Sequence, residues 1–189
     1  MTEIAEPAVH DERWTSLGSL LPARLDGARA LVLGFHADGD AAELARRGAG
    51  QVIADTRLPW QELDPATHGV FDLIVCDGLL HREMHPMALL QALRSVLAPS
   101  GTLVLGCAVL DAVEGSESIR VVPTSFLGDA GWWMVPGRLA LRWMVEAAGF
   151  RPVDDVLEPS ELHGEFPVSL SYISASEGAP SPHLGLARG

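Results

Sequence analysis

The chain contains no lysine; all thirteen of its basic residues are arginine. Set against 25 Asp and Glu, they leave a formal net charge of -12. They are also scattered, with Arg46-Arg47 the one adjacent pair. A nucleic-acid groove needs clustered positive charge to neutralise phosphates. The balance therefore argues against a large nucleic acid as substrate unless another subunit supplies the positive surface. Cysteine is scarce too. Cys76 and Cys107 each lie inside an apolar run, cannot make a disulfide framework, and read as small core residues. No apolar run approaches the length of a membrane span. The N-terminal stretch MTEIAEPAVHDERW is acidic and has no apolar segment of the signal-peptide kind. These absences lead to the expectation of a cytoplasmic protein without a membrane partner.

What is present suits one domain. The length of 189 residues allows a single core and is short for two, and 48% hydrophobic residues exclude general disorder. Residues 1–12 read as a loose arm. Trp14, Leu17, Leu20 and Leu21 then stand at helical spacing in a helix over 13–25 that Pro22 ends or kinks. Ala30 to Gly34, Gln51 to Ala54 and Phe71 to Cys76 are short apolar runs of the kind found in strands covered on both faces. Helices are expected at Asp40–Arg47, with Gly48 as its cap, and from Pro86, where Leu89, Leu90, Leu93, Val96 and Leu97 share a face. Pro99-Ser100-Gly101 reads as a turn before a strand from Thr102 to Cys107. Ile119 to Val122 is a short strand candidate. Pro136 opens a helix with Leu139, Leu141, Met144, Val145 and Ala148 near one side and Trp143 in the core, and Gly149 ends it. Val153–Leu157 and Pro167–Ser174 are the last strand candidates. The alternation predicts an α/β fold, a Rossmann-like three-layer sandwich on a mostly parallel sheet. The expected organisation is an N-terminal arm and helix over 1–28, the main domain over 29–175, and a disordered tail over 176–189.

Ligands of such sheets sit outside the carboxyl ends of the strands, where strand order reverses. That rule directs attention to residues 34–40, 55–60, 77–86 and 107–136. Three stretches there together resemble a class I S-adenosylmethionine-dependent methyltransferase: LVLGFHADGDAAELARRGA from Leu31, FDLIVCDGLLHREMHPMALLQALRSVLAPSGTLVLG from Phe71, and WWMVPGRLALRWMVEAAGF from Trp132. The last is similar to the late part of small methyltransferases, including those akin to wobble-uridine tRNA modification enzymes. The resemblance covers about residues 29–158, and the middle stretch is its most specific part.

The resemblance implies S-adenosylmethionine as cofactor, held by Gly34, His36, Asp38, Gly39, Asp55 and Asp77. It also exposes departures. Val32 stands where the family has an acid, and His36 where it has a glycine. Asp38 or Asp40 can replace the missing carboxylate that holds the methionine ammonium. The family places two β-α units between the glycine turn and the FDLIVC-like strand, but only about twenty residues, Gly50 to Val70, are available here, so the sheet is expected to lack one β-α unit of the usual seven-stranded arrangement. Asp55 consequently has two functional readings, the acid that accepts the ribose hydroxyls or the acid of the next loop that meets the adenine amino group. A third reading makes it a turn acid.

Methyl transfer needs alignment and, for a hydroxyl acceptor, a base. Histidine titrates near neutrality, and His81 is the candidate base; the alternative is that it shapes the loop before Pro86. His85, Trp132 and Trp133 are candidates to line the acceptor site. Adjacent residues cannot share one strand face, so one Trp can face a pocket while the other is core, or one is core and one surface. His81 and His85 form a His-x-x-x-His pair without a nearby third ligand, so no metal site is expected. The functional expectation is methyl transfer to a small or carrier-presented acceptor. The alternative is a non-catalytic methyltransferase-like partner or scaffold with an eroded cofactor site. A homodimer or a partner subunit fits either, because a sheet lacking a strand exposes an edge.

Overall fold

The computed structural model describes residues 7–22, 24–54, 59–110, 116–125, 129–163 and 167–179. In chain order the elements are α1 (Pro7–Ser19), β1 (Arg29–Gly34), α2 (Ala37–Arg46), β2 (Gln51–Ala54), α3 (Pro65–His68), β3 (Phe71–Asp77), α4 (Pro86–Ser95), β4 (Leu97–Leu110), β5 (Ile119–Val121), β6 (Met134–Pro136), α5 (Arg138–Ala147), β7 (Phe150–His163) and β8 (Pro167–Glu177). Six strands form one sheet in the order β2-β1-β3-β4-β8-β7, and β5 and β6 form a small hairpin of their own. The pairings β1–β2, β1–β3 and β3–β4 are parallel; β4–β8 and β7–β8 are antiparallel. The expected α/β sandwich on a mostly parallel sheet is the observed architecture. Between β2 and β3 the described residues hold one 3-10 turn, Trp60–Glu62, and the four-residue α3.

Alternation along the strands makes the three layers. Ala30 and Val32 of β1 pack with Leu44 of α2 and with Trp14, Leu17, Leu20 and Leu21. Leu31 and Leu33 face the other way, toward Leu89, Leu90 and Leu93 of α4 and Leu141, Met144 and Val145 of α5. Leu89, Leu90 and Leu93 are completely buried, and burying each contributes about 1.5–3 kcal/mol. Cys76 and Cys107 are unpaired, lie in this second layer, and have thiols that burial pushes up in pKa.

Several expectations are corrected. The arm is helical from Pro7, a residue suited to a first helical turn, and the helix ends at Ser19, before Pro22. Helix α2 begins at Ala37, three residues earlier than expected. Pro99-Ser100-Gly101 lies within β4 as an irregularity: Phe71 pairs Leu97 while Leu73 pairs Thr102. A Cβ on Gly101 would stand 2.9 Å from the Phe71 carbonyl oxygen, so the glycine admits that close approach. Pro136 ends β6, and α5 starts after it with Gly137 as its cap. Leu139 and Trp143 are exposed on α5 instead of lying on its core face. Strand β8 continues to Glu177, beyond the expected start of the tail, and residues 180–189 lie outside the described residues.

Candidate functional site

Strand order reverses at β1: the chain passes from β1 to β2 on one side and returns to β3 on the other. In open α/β sheets ligands bind in the crevice outside the carboxyl ends of the strands at such a reversal, which here is the end of β1 and β3, where Gly34 and Asp77 are register partners. Gly34 has φ 134°, and a Cβ there would lie 2.0 Å from the Asp77 carbonyl oxygen. Only glycine fits both constraints. After Gly34 the turn is two residues, Phe35 and His36, both exposed, and α2 then begins. Gly39 therefore lies in the first helical turn and not in the loop. Asp38 and Asp40 share that turn; Asp38 is exposed, whereas Asp40 is 1% exposed.

Asp40 and Asp77 are joined by a residue from far upstream. Arg13 of α1 donates from Nη1 to Asp77 Oδ2 at 2.6 Å and from Nη2 to Asp40 Oδ1. All three side chains are nearly removed from water. Burial pushes the Asp77 carboxyl up, and the Arg13 guanidinium pulls it back. Burial likewise opposes the charge on Arg13, but Asp77 and Asp40 outweigh it and raise its pKa. A Cβ on Gly106 of β4 would lie 2.0 Å from Asp77 Oδ1 and 3.0 Å from Tyr172 Cε1, so the glycine makes room for both groups. Tyr172, from β8, is 1% exposed, and its hydroxyl and Arg13 Nε have no hydrogen-bond partner among the described residues. Burial, and then Asp77, raise the phenol pKa.

The second half of the site lies over the end of β4. His81, in the 3-10 turn Leu80–Arg82, is 5% exposed. Its Nδ1 accepts the Ala108 N–H at 3.4 Å and lies 3.9 Å from Cys107 Sγ. That bond places the ring proton on Nε2. Burial, with the neighbouring Arg82 charge second, depresses its pKa to about 4. The ring packs against Trp132 at 4.2 Å between centroids. Arg82 lies over the Phe35 ring at 4.6 Å and pairs with Asp129 at 2.5 Å. Asp129 also accepts from the Trp132 indole N–H at 3.2 Å. The Phe35 turn, the His81 turn and the segment before β6 are thus tied together across the crevice mouth. Trp133 is 46% exposed and donates its backbone N–H to the His81 carbonyl.

Of the expected site residues, the structure brings together Gly34 and Asp77 at the crevice and His81 and Trp132 beside it. His36, Asp38 and His85 are exposed, and the His85 N–H donates to Glu83. Asp55 lies outside the described residues. Sequence reasoning missed Arg13 and Tyr172. One signal was available for Arg13: it shares the helical stripe of Leu17, Leu20 and Leu21, an unusual place for a charge. Two recesses of about 430 and 410 Å³ lie elsewhere, against α5 and β7, and contain none of these residues.

No family model matches the chain. Among curated proteins it is similar to the tRNA U34 carboxymethyltransferase of Pseudoalteromonas translucida (strain TAC 125), 33% identical over 84 residues, covering 44% of this chain and 25% of that protein. The corresponding protein of Trichodesmium erythraeum (strain IMS101) is 28% identical over 85 residues, again 44% of this chain and 25% of the relative. The match thus spans a quarter of those relatives' length. Among solved structures it resembles a Burkholderia thailandensis 1,6-didemethyltoxoflavin-N1-methyltransferase with bound 1,6-didemethyltoxoflavin and S-adenosylhomocysteine, with TM-score 0.60, 18% identity and coverage of 94% and 93% of the two chains. An S-adenosylmethionine dependent methyltransferase from Mesorhizobium loti gives TM-score 0.62 at 16% identity over 86% and 96% of the chains. The [4+2]-cyclase SpnF gives 0.65 at 14% identity over 86% and 80%. The fold of this chain is that of the class I S-adenosylmethionine-dependent methyltransferases.

Proposed function

We propose that this chain is an S-adenosylmethionine-dependent methyltransferase for a small or carrier-presented acceptor. The observation that carries the reading is the strand-order reversal, where β1 and β3 end side by side at Gly34 and the buried carboxylate of Asp77, beside Asp40. The residues present fit the cofactor. Asp77 and Asp40 supply carboxylates for an ammonium group, and the unpartnered Tyr172 hydroxyl can accept a further donor. Gly34, His36, Asp38 and Gly39 give the strand-turn-helix start against which a ligand can lie closely, and Asp55 is proposed for the adenosine. When bound, S-adenosylmethionine supplies an electrophilic methyl group.

The chain's own work is then orientation, exclusion of water and proton handling. Trp132 and the Arg82–Phe35 stack shield the crevice mouth, and His85 and Trp133 are proposed to border the acceptor. His81 is the proposed base for a hydroxyl acceptor. It is neutral at pH 7, as a base must be, and Nδ1 becomes free to take a proton when its bond to the Ala108 N–H yields.

A second reading has its own support. Arg13 already satisfies the carboxylates that the cofactor would need, and a protein of the same fold is named for a cyclisation. Fold does not fix chemistry, and a non-catalytic partner or scaffold remains the competing reading. Calorimetric titration with S-adenosylhomocysteine separates them. Saturable binding is expected, weakened about 10- to 100-fold in Asp77→Asn by loss of a charge-assisted hydrogen bond. Absence of both heat and thermal shift at millimolar ligand would establish the scaffold reading.

A further inference from the structure

We propose that α1 is a lid locked by its own cation. The Arg13 guanidinium occupies the place between Asp40 and Asp77 that a ligand's primary ammonium takes, and a ligand enters by exchanging one cation for the other. The inference rests on the crevice being a ligand site, as proposed above, and deepens that reading.

Four observations converge on it. First, the lock joins distant parts of the chain: Arg13 is 27 residues from Asp40 and 64 from Asp77. Second, the ion pairs are not needed to dock the helix. Trp14 and Leu17 of α1, with Leu20, Leu21 and Leu25 just after it, are already buried, and buried ion pairs are often no more stabilising than apolar residues of similar volume. Third, the cluster is incompletely satisfied with Arg13 in it. Among the described residues, Tyr172 Oη and Arg13 Nε are left without partners, although Tyr172 is 1% exposed. An ammonium has three donors, and Asp40, Asp77 and Tyr172 offer three acceptors. Fourth, two carboxylates that face one cation in low dielectric repel each other once it leaves, so one of them must then be neutralised by a proton or by a replacement cation. A ligand ammonium supplies that neutralising charge as Arg13 leaves, which makes exchange the route to opening at pH values where both carboxylates are ionised.

The test uses the full chain with Arg13→Ala, and Arg13→Gln as a variant of similar length. Methylammonium, an ammonium without the rest of any cofactor, is titrated at constant ionic strength against tetramethylammonium, which has no N–H donor. The expected result is a melting temperature lower than that of the unsubstituted chain, raised by at least about 3–5 °C by methylammonium only, following binding to the folded state. The rise should vanish when Asp77→Asn is added. The same variants should bind S-adenosylhomocysteine at least about tenfold more tightly than the unsubstituted chain, because no internal cation has to be displaced. Methylammonium rescue without S-adenosylhomocysteine binding would retain the exchange and end the methyltransferase reading. Melting that is insensitive to methylammonium overturns the exchange, as does a chain that stays unfolded at every concentration. Weaker S-adenosylhomocysteine binding in the variants also overturns it, since Arg13 would then hold an anionic part of the ligand.

Discussion

At the scale of single residues, the two halves of the crevice handle protons in opposite ways. Arg13 keeps its charge inside the protein because two carboxylates surround it. Among the described residues His81 has no carboxylate in contact, and burial favours its neutral form. The folded-state pKa of His81, about 4, lies below the ordinary 6.5. The unfolded chain therefore binds the proton first. Stability from this group is complete above about pH 6.5 and is lost as pH falls toward 4. The loss is on the order of 3 kcal/mol, since each pKa unit corresponds to about 1.4 kcal/mol. Urea unfolding at a series of pH values checks it: His81→Gln should flatten the stability profile within that window. An unchanged profile would mean that the imidazole is solvated. Its kinetic counterpart is His81→Ala, expected to lower turnover by about 10²–10⁴-fold if the ring is the base, with cofactor affinity nearly unchanged. His81→Asn with most activity retained would instead leave the residue a loop-shaping role.

At the scale of elements, α1 shows why parts of the fold were legible and parts were not. Ala30–Gly34, Gln51–Ala54 and Phe71–Cys76 stand out as strands because both faces are covered, so their apolar runs are continuous. The beginning of α1, PAVHDER, mixes apolar and charged residues without a clear apolar stripe, and periodicity has no purchase there; Pro7 was the available signal. Trp143 and Leu139 misled in the other direction, because large apolar residues on a helix suggest burial and these two face solvent. Asp40 and Asp77 are readable as candidates near strand ends. Their joining by Arg13 is tertiary and leaves no local pattern. The docking of α1 is testable apart from its ion pairs. Leu17 is completely buried, and Leu17→Ala should cost about 2–5 kcal/mol in chemical denaturation. Trp143→Gln, at an exposed position, should change stability by less than about 0.5 kcal/mol. A negligible cost for Leu17→Ala would mean that α1 is held by Arg13 alone.

At the scale of the whole molecule, charge separates this chain from what its curated relatives are named for. Those relatives are tRNA-modifying enzymes, matched over a quarter of their length, so their substrate does not come with the likeness. RNA binding requires cations free to meet phosphates. Here the net charge is -12, and many of the arginines are committed to carboxylates. Arg13 serves Asp40 and Asp77, Arg46 and Arg47 serve Glu43, Arg82 serves Asp129, Arg94 serves Glu177, and Arg138 serves Asp155. Each carboxylate so engaged offsets one positive charge in the surface field, with Arg46 and Arg47 sharing Glu43. The chain alone should therefore bind a tRNA or an RNA hairpin more weakly than about 100 µM near physiological salt, the weak end of nonspecific binding. Fluorescence anisotropy against a labelled RNA, repeated from 50 to about 200 mM salt, measures this directly. A micromolar affinity that falls steeply with salt would reveal a phosphate-contacting surface that the arginine pairing conceals. It would bring RNA into consideration as the acceptor of the proposed reaction, to be tested by methyl transfer to it.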